Sequence, residues 1–132
     1  MRVTVRVDLP REAGSVPADR RLLRCALSVL PVSHDDGNDL EIAVTEACAN
    51  VVDHATGADT FEVSLDVADD RCAIDVRDDG PGFDLDAVGT ATPGASSERG
   101  RGLFLIRALS ENVRMHSIPR KGSLIHFEKS FA

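Results

Sequence analysis

Two short runs separated by a pair of aspartates set the tightest limit on what this chain can fold into. Phe61, Val63, Leu65 and Val67 alternate with polar residues, and Cys72, Ile74 and Val76 do the same after Asp69-Asp70. Period two sends successive side chains to opposite faces of a strand, so each run has one apolar face and one wet face. With the turn between them the pair reads as a β-hairpin. A hairpin apolar on one side needs a cover on that side alone, so a sheet with helices over one face is the economical solution. Val3, Val5 and Val7, alternating with Arg2, Thr4 and Arg6, predict another half-buried strand, broken at 10–14.

The cover is legible too. Leu22, Leu23, Ala26, Leu27 and Leu30 recur at three and four positions and predict a helix from Pro17 to Leu30, closed by Pro31. Asn38 or Asp39 is the expected cap of a second helix running to about His54, with Leu40, Ala43, Val44, Ala47, Cys48 and Val51 in one stripe, ended by Thr56-Gly57. Leu103 to Leu109 predicts a buried third helix. Val113 to His116 and Ser123 to Phe127 predict two strands joined through Pro119-Arg120-Lys121-Gly122. Strands and helices therefore come without strict alternation. The expected class is α+β, a two-layer sandwich of one mixed or antiparallel sheet covered on one face by three helices.

Composition narrows the function. With 15 basic against 22 acidic residues the net charge is −7, which offers no broad basic footprint for nucleic acid. A length of 132 residues with 42% hydrophobic content suits one domain over 1–132. No apolar run approaches the roughly 20 residues that a membrane span needs, and the first residues alternate where a signal peptide would be continuously apolar. The expectation is a cytoplasmic protein without membrane contact. Cys25, Cys48 and Cys72 sit in apolar segments without C-x-x-C spacing and are expected to be buried, reduced thiols.

Three features could carry chemistry. On the second helix Glu46 and Asn50 are one turn apart, and Asp53 and His54 continue their face. A plain amphipathic surface helix would show the same line, although Ala43, Ala47 and Ala49 leave room for a close approach. Next, Asp78-Asp79-Gly80-Pro81-Gly82 follows a strand, and period two turns Asp78 toward the buried face while Asp79 points away. An inward carboxylate needs a donor, and the exocyclic amine of adenine is one; a tight turn with two solvated aspartates fits equally. Last, Gly100-Arg101-Gly102-Leu103 opens a helix whose free N–H groups could meet phosphate, with Arg99 and Arg101 adding positive charge; a flexible lead into a helix is the plainer alternative. The long Gly, Ala, Ser and Thr-rich stretch between Gly80 and Gly102 is expected to be a mobile lid.

Other phosphate signatures fail. Gly89 to Ser96 has the outline of a phosphate loop with Ala95 where the lysine belongs, and Gly100-x-Gly102 runs on to Leu105 where a dinucleotide fingerprint needs glycine. His34, His54, His116 and His126 have no metal-ligand spacing.

Taken in order, E-x-x-x-N at Glu46 to Asn50, D-x-G-x-G at Asp78 to Gly82 and G-x-G-L at Gly100 to Leu103 resemble the N, G1 and G2 boxes of the GHKL ATPase and kinase superfamily. The similarity covers nearly the whole chain and ends in Gly122-Ser123-Leu124-Ile125-His126-Phe127, which looks like the family's terminal strand. The fold it implies is the Bergerat α/β sandwich. Within the superfamily, Thr45 to Ala55 is most similar to the anti-sigma-factor serine kinases of the RsbW type. Such proteins hold a sigma factor or phosphorylate a serine on a STAS-domain antagonist. The resemblance implies ATP and Mg²⁺ as cofactors, Asn50 as the metal ligand, Glu46 as general base, and Asp78 on the adenine amine. It makes Gly80, Gly82, Gly100 and Gly102 the shapers of the pocket, with Leu103 closing the last box. It also implies a homodimer, with the first strand in its interface. The lid carries no lysine, so Arg99 or Arg101 would neutralise the γ-phosphate. Two other readings stay open: a non-catalytic nucleotide-binding module that sequesters a partner, and a structural α+β domain without nucleotide.

Overall fold

A computed structural model of the protein describes residues 1–80, 98–118 and 122–131, with the side chains of 98–100 and 118 left aside. Along the chain run β1 (Arg2–Pro10), α1 (Ser15–Ser28), α2 (His34–His54), β2 (Thr60–Ala68), β3 (Arg71–Asp78), α3 (Glu98–Leu109), β4 (Glu111–Ile118) and β5 (Gly122–Ser130). The sheet order is β1-β2-β3-β5-β4, and every neighbouring pair is antiparallel. Of the two sheets expected, this is the antiparallel one. A mixed sheet would need β4 beside β3, which it follows in direction; instead β4 lies at the far edge and β5 returns between them, opposed to both.

Cross-strand register assembles the core in rows. Val7, Val63, Val76, Ile125 and Met115 form one, and Val5, Leu65, Ile74 and Phe127 the next. These rows face the helices, because α2 buries Leu40, Ala43, Val44, Ala47, Cys48 and Val51, α1 buries Leu23 and Ala26, and α3 buries Leu103 and Ile106. The predicted stripes are the buried ones. Phe61 and Phe127 are at most 2% exposed, so truncating either to Ala should cost about 3–5 kcal/mol.

Two local expectations change. The cap of α2 is Ser33, not Asn38 or Asp39: its side chain accepts the Asp36 N–H at 3.1 Å, and Asp35 and Asp36 in the first turn suit the positive end of the helix dipole. The glycine at position 37 hid that start. Cys48 and Cys72 are buried, but Cys25 is exposed, because α1 turns Ser15, Asp19, Leu23 and Ala26 inward and leaves position 25 off that stripe; all three thiols are free. The Pro119 to Lys121 connection lies outside the described residues.

Candidate functional site

A third cross-strand row departs from the apolar rule. It runs Leu9, Phe61, Asp78, Ser123 and Ser117, so the apolar layer gives way to polar groups where β3 ends and β5 begins. Asp78 is 7% exposed, while Asp79 is on the surface, as strand alternation requires. Burial of a carboxylate demands donors, and two are present. The Gly80 N–H donates to Asp78 Oδ1 at 2.9 Å, and the Ser123 hydroxyl donates to Oδ2 at 2.5 Å. Each oxygen keeps a second lone pair for a ligand.

Glycines bring the neighbouring segments into this corner. A Cβ on Gly122 would stand 2.2 Å from the Asp78 carbonyl oxygen, and a Cβ on Gly80 3.1 Å from the Cβ of Ala55, just beyond α2. Sequence reasoning missed Gly122 and Ser123 as site residues. Their signal, a Gly-Ser pair opening a strand, says nothing of an aspartate 45 positions away.

The second part of the site lies along α2. Glu46 and Asn50 are half-buried, and α3 is what covers them: a Cβ on Gly102 would stand 2.9 Å from Glu46 Oε2, 3.5 Å from Asn50 Oδ1 and 3.6 Å from Asn50 Nδ2. Glu46 and Asn50 therefore face another helix, which a plain surface helix would not require. Nδ2 of Asn50 is buried and has no hydrogen-bond partner among the described residues. An unmatched buried polar group of this kind calls for a ligand or a water. Asp53 on the same helix is exposed.

α3 begins at Glu98, earlier than the predicted Leu103, so Gly100 and Gly102 lie within its first turns and do not precede it. The N–H groups of 98–100 are then without intrahelical acceptors, and these could meet an anion. Arg101 is exposed, Leu103 is buried, and Arg99 and Gly100 sit in the first turn. Gly82, the expected lid and the rejected phosphate loop at Gly89 to Ser96 all fall in 81–97, outside the described residues.

Carboxylate and amide oxygens are hard donors that fit Mg²⁺, and that ion is ordinarily held by one or two protein oxygens together with substrate phosphates. The amide oxygen of Asn50 matches this mode. No group of three or more His, Cys, Asp or Glu side chains that could hold a metal unaided occurs among the described residues. Nor is any helix among them long and apolar enough to cross a membrane.

Comparison with known proteins gives a consistent result. The family described as "Histidine kinase-like ATPase domain" matches residues 9–129. The serine-protein kinase RsbW of Halalkalibacterium halodurans is 36% identical over 121 residues, which span 85% of this chain and 75% of that protein. The serine-protein kinase RsbW of Bacillus subtilis is 35% identical over 124 residues, spanning 86% and 78%. Among solved structures, the RsbU and RsbW domains of Rv1364c from Mycobacterium tuberculosis superpose with a TM-score of 0.75 at 20% identity, covering 98% of this chain and 32% of that one, a likeness of fold.

Proposed function

The chain belongs to the histidine kinase-like ATPase family, and from that membership we propose that it is an ATP-dependent serine/threonine protein kinase of the anti-sigma-factor type, phosphorylating a serine on a STAS-domain antagonist and sequestering a sigma factor. The relatives named serine-protein kinases support the activity. One observation carries the reading: Gly102 of α3 lies bare against both Glu46 and Asn50, so two of the three sequence boxes, far apart along the chain, converge. In this scheme the 132 residues act as one nucleotide-binding domain in the cytoplasm, as a homodimer.

The roles follow from the chemistry of each side chain. Asp78, fixed by Gly80 and Ser123, accepts from the adenine amine. Asn50 offers its amide oxygen to Mg²⁺, which when bound neutralises phosphate charge. Gly80, Gly82, Gly100 and Gly102 keep side chains out of the nucleotide's path, and Arg99 or Arg101 faces the γ-phosphate. Glu46 takes the proton of the partner's serine as the serine oxygen bonds to the γ-phosphorus and the bond to the ADP oxygen breaks. The carboxylate is needed late, when the hydroxyl becomes acidic.

The test separates binding from catalysis. Glu46→Ala should leave Mg·ATP affinity nearly intact and lower phosphoryl transfer to a STAS protein by about 10²–10⁴-fold, whereas Asn50→Ala should weaken nucleotide binding itself. Transfer at the unaltered rate in Glu46→Ala would remove the proposed base. No transfer to any STAS protein by the unmutated chain, with ATP still bound, would make a sequestering module the better reading.

A further inference from the structure

The face of the sheet turned away from the helices carries a line of paired charges across β3 and β5. His126 Nδ1 lies 2.7 Å from Asp75 Oδ1, and Nε2 lies 2.8 Å from Glu128 Oε2. Glu128 also pairs with Arg71, which carries the line back to β3. Ionised carboxylates only accept, so both ring nitrogens must donate, and an imidazole can do that only with two protons. The geometry thus has the imidazolium built in. His126 is 21% exposed and Glu128 12%, which limits competition from water on that side, while Asp75 is 43% exposed.

The surroundings leave this proton little slack. On β4, Arg114 stands opposite His126, and Asn112 donates to Glu128; His116 lies opposite Leu124. On β3, Arg77 stands opposite Leu124. On β2, Asp66 is held by Arg2 and also feels Arg71. With His126 charged, two cations balance two carboxylates in the line. Without that proton, Arg71 on Glu128 is the one cation of these four groups left against two carboxylates, and a ring lone pair is turned on a carboxylate oxygen.

Asp75 pairs with His126 in the β3–β5 ladder, and three rungs further the same two strands present Asp78 against Ser123. We propose that His126 is a proton-operated clamp: as an imidazolium it draws β5 onto β3, keeps the Ser123 hydroxyl seated on Asp78, and so tunes nucleotide binding from the opposite face of the sheet. This rests on the reading of Asp78 as the adenine acceptor. His126 is a positioning residue, since it touches no part of the corner itself. Burial alone would lower its pKa, but the hydrogen bonds to Glu128 and Asp75 and the charges of both outweigh that, and the value stands above its ordinary 6.5. The clamp is therefore complete below about pH 6.5 and is lost as pH rises through the higher folded value.

The experiment titrates the full chain, labelled with ¹⁵N at histidine, by NMR with and without Mg·ADP, and measures ADP affinity at each pH. The proposal expects His126 to titrate above 6.5 and ADP binding to weaken about fivefold as it loses its proton, the low end of ordinary coupling between sites. Reciprocity then requires ADP to raise the proton affinity of His126 by the same factor, a rise of about 0.7 in its pKa. His126→Gln should bind ADP weakly at every pH, and His126→Lys, with a lasting positive charge, tightly at every pH. A His126 pKa at or below 6.5, measurable in the unmutated chain even where a variant fails to fold, would overturn the clamp. So would an unchanged pH profile of ADP binding in His126→Gln. If ADP binds at no pH, the nucleotide reading and the coupling both fall, and the line of charges alone is then judged by the NMR titration.

Discussion

At Gly122 the backbone adopts φ +112°, and any side chain would run into the end of β3, 2.2 Å from the Asp78 carbonyl oxygen. Gly57 offers a control, because it too has positive φ (+96°) but nothing within 4 Å of where its Cβ would stand. Gly57→Ala should cost about 1 kcal/mol of backbone strain; Gly122→Ala should cost more, about 3 kcal/mol, and weaken nucleotide binding as well. Urea midpoints and an ADP titration on the two variants check this, and equal losses would refute the steric argument. Asp78 gives the companion comparison. Asp78→Asn should lower ATP affinity by about 5- to 150-fold, the range for a charge-assisted bond left unmatched by about 1–3 kcal/mol. Asp79→Asn, on the surface, should leave the binding isotherm unchanged.

Between elements, the α1–α2 interface hides a carboxyl group. Asp19 on α1 is 0% exposed, its Oδ2 lies 2.7 Å from Cys48 Sγ on α2, and its Oδ1 has no partner among the described residues. Burial pushes its pKa up from 3.8 to about 6, and the Cys48 thiol offsets that only in part. The same burial, reinforced by Asp19, holds the Cys48 thiol well above its ordinary range, so it stays protonated and unreactive. An acid with a raised folded pKa stabilises the fold fully below its unfolded value and loses that contribution as pH rises through the folded one. The wild type should therefore lose about 3 kcal/mol relative to Asp19→Asn between about pH 4 and pH 7, read from urea unfolding at each pH. A constant difference between the two would show that Asp19 ionises there without cost. At the other end of α2, the Arg11 guanidinium donates to Val52 O at 2.7 Å and to Ala58 O at 2.9 Å, a cation at the negative end of the dipole that fixes the turn carrying Asn50.

For the molecule as a whole, one sheet face is covered and the other is wet. The wet face holds its place through Arg2–Asp66, Arg6–Glu62, Arg71–Glu128 and the His126 ring, pairs worth little singly at such exposure. Its polarity makes it a poor surface for apolar association. The edge differs: β1 ends the sheet, Val3, Val5 and Val7 are only half-buried, and among the described residues its outer hydrogen-bonding groups have no strand beside them. An unmanaged edge of this kind tends to find a partner. We expect a homodimer with β1 in its interface, and light scattering that reports a monomer at high micromolar concentration would dispose of it.

Periodicity in the sequence was enough to place the strands and helices, because which face of an element is apolar is written in residues two, three or four apart. It also set Asp78 inward and Asp79 outward, and put Glu46 above Asn50. Periodicity names a face but not the neighbour that covers it. That β5 enters between β3 and β4, that Gly102 lies against Glu46 and Asn50, that Gly122 and Ser123 close on Asp78, and that Asp19 meets Cys48 were decided by tertiary packing. The last three join residues some 29 to 56 positions apart, where the energy of contact depends on shape and burial after collapse and leaves no local pattern in the chain.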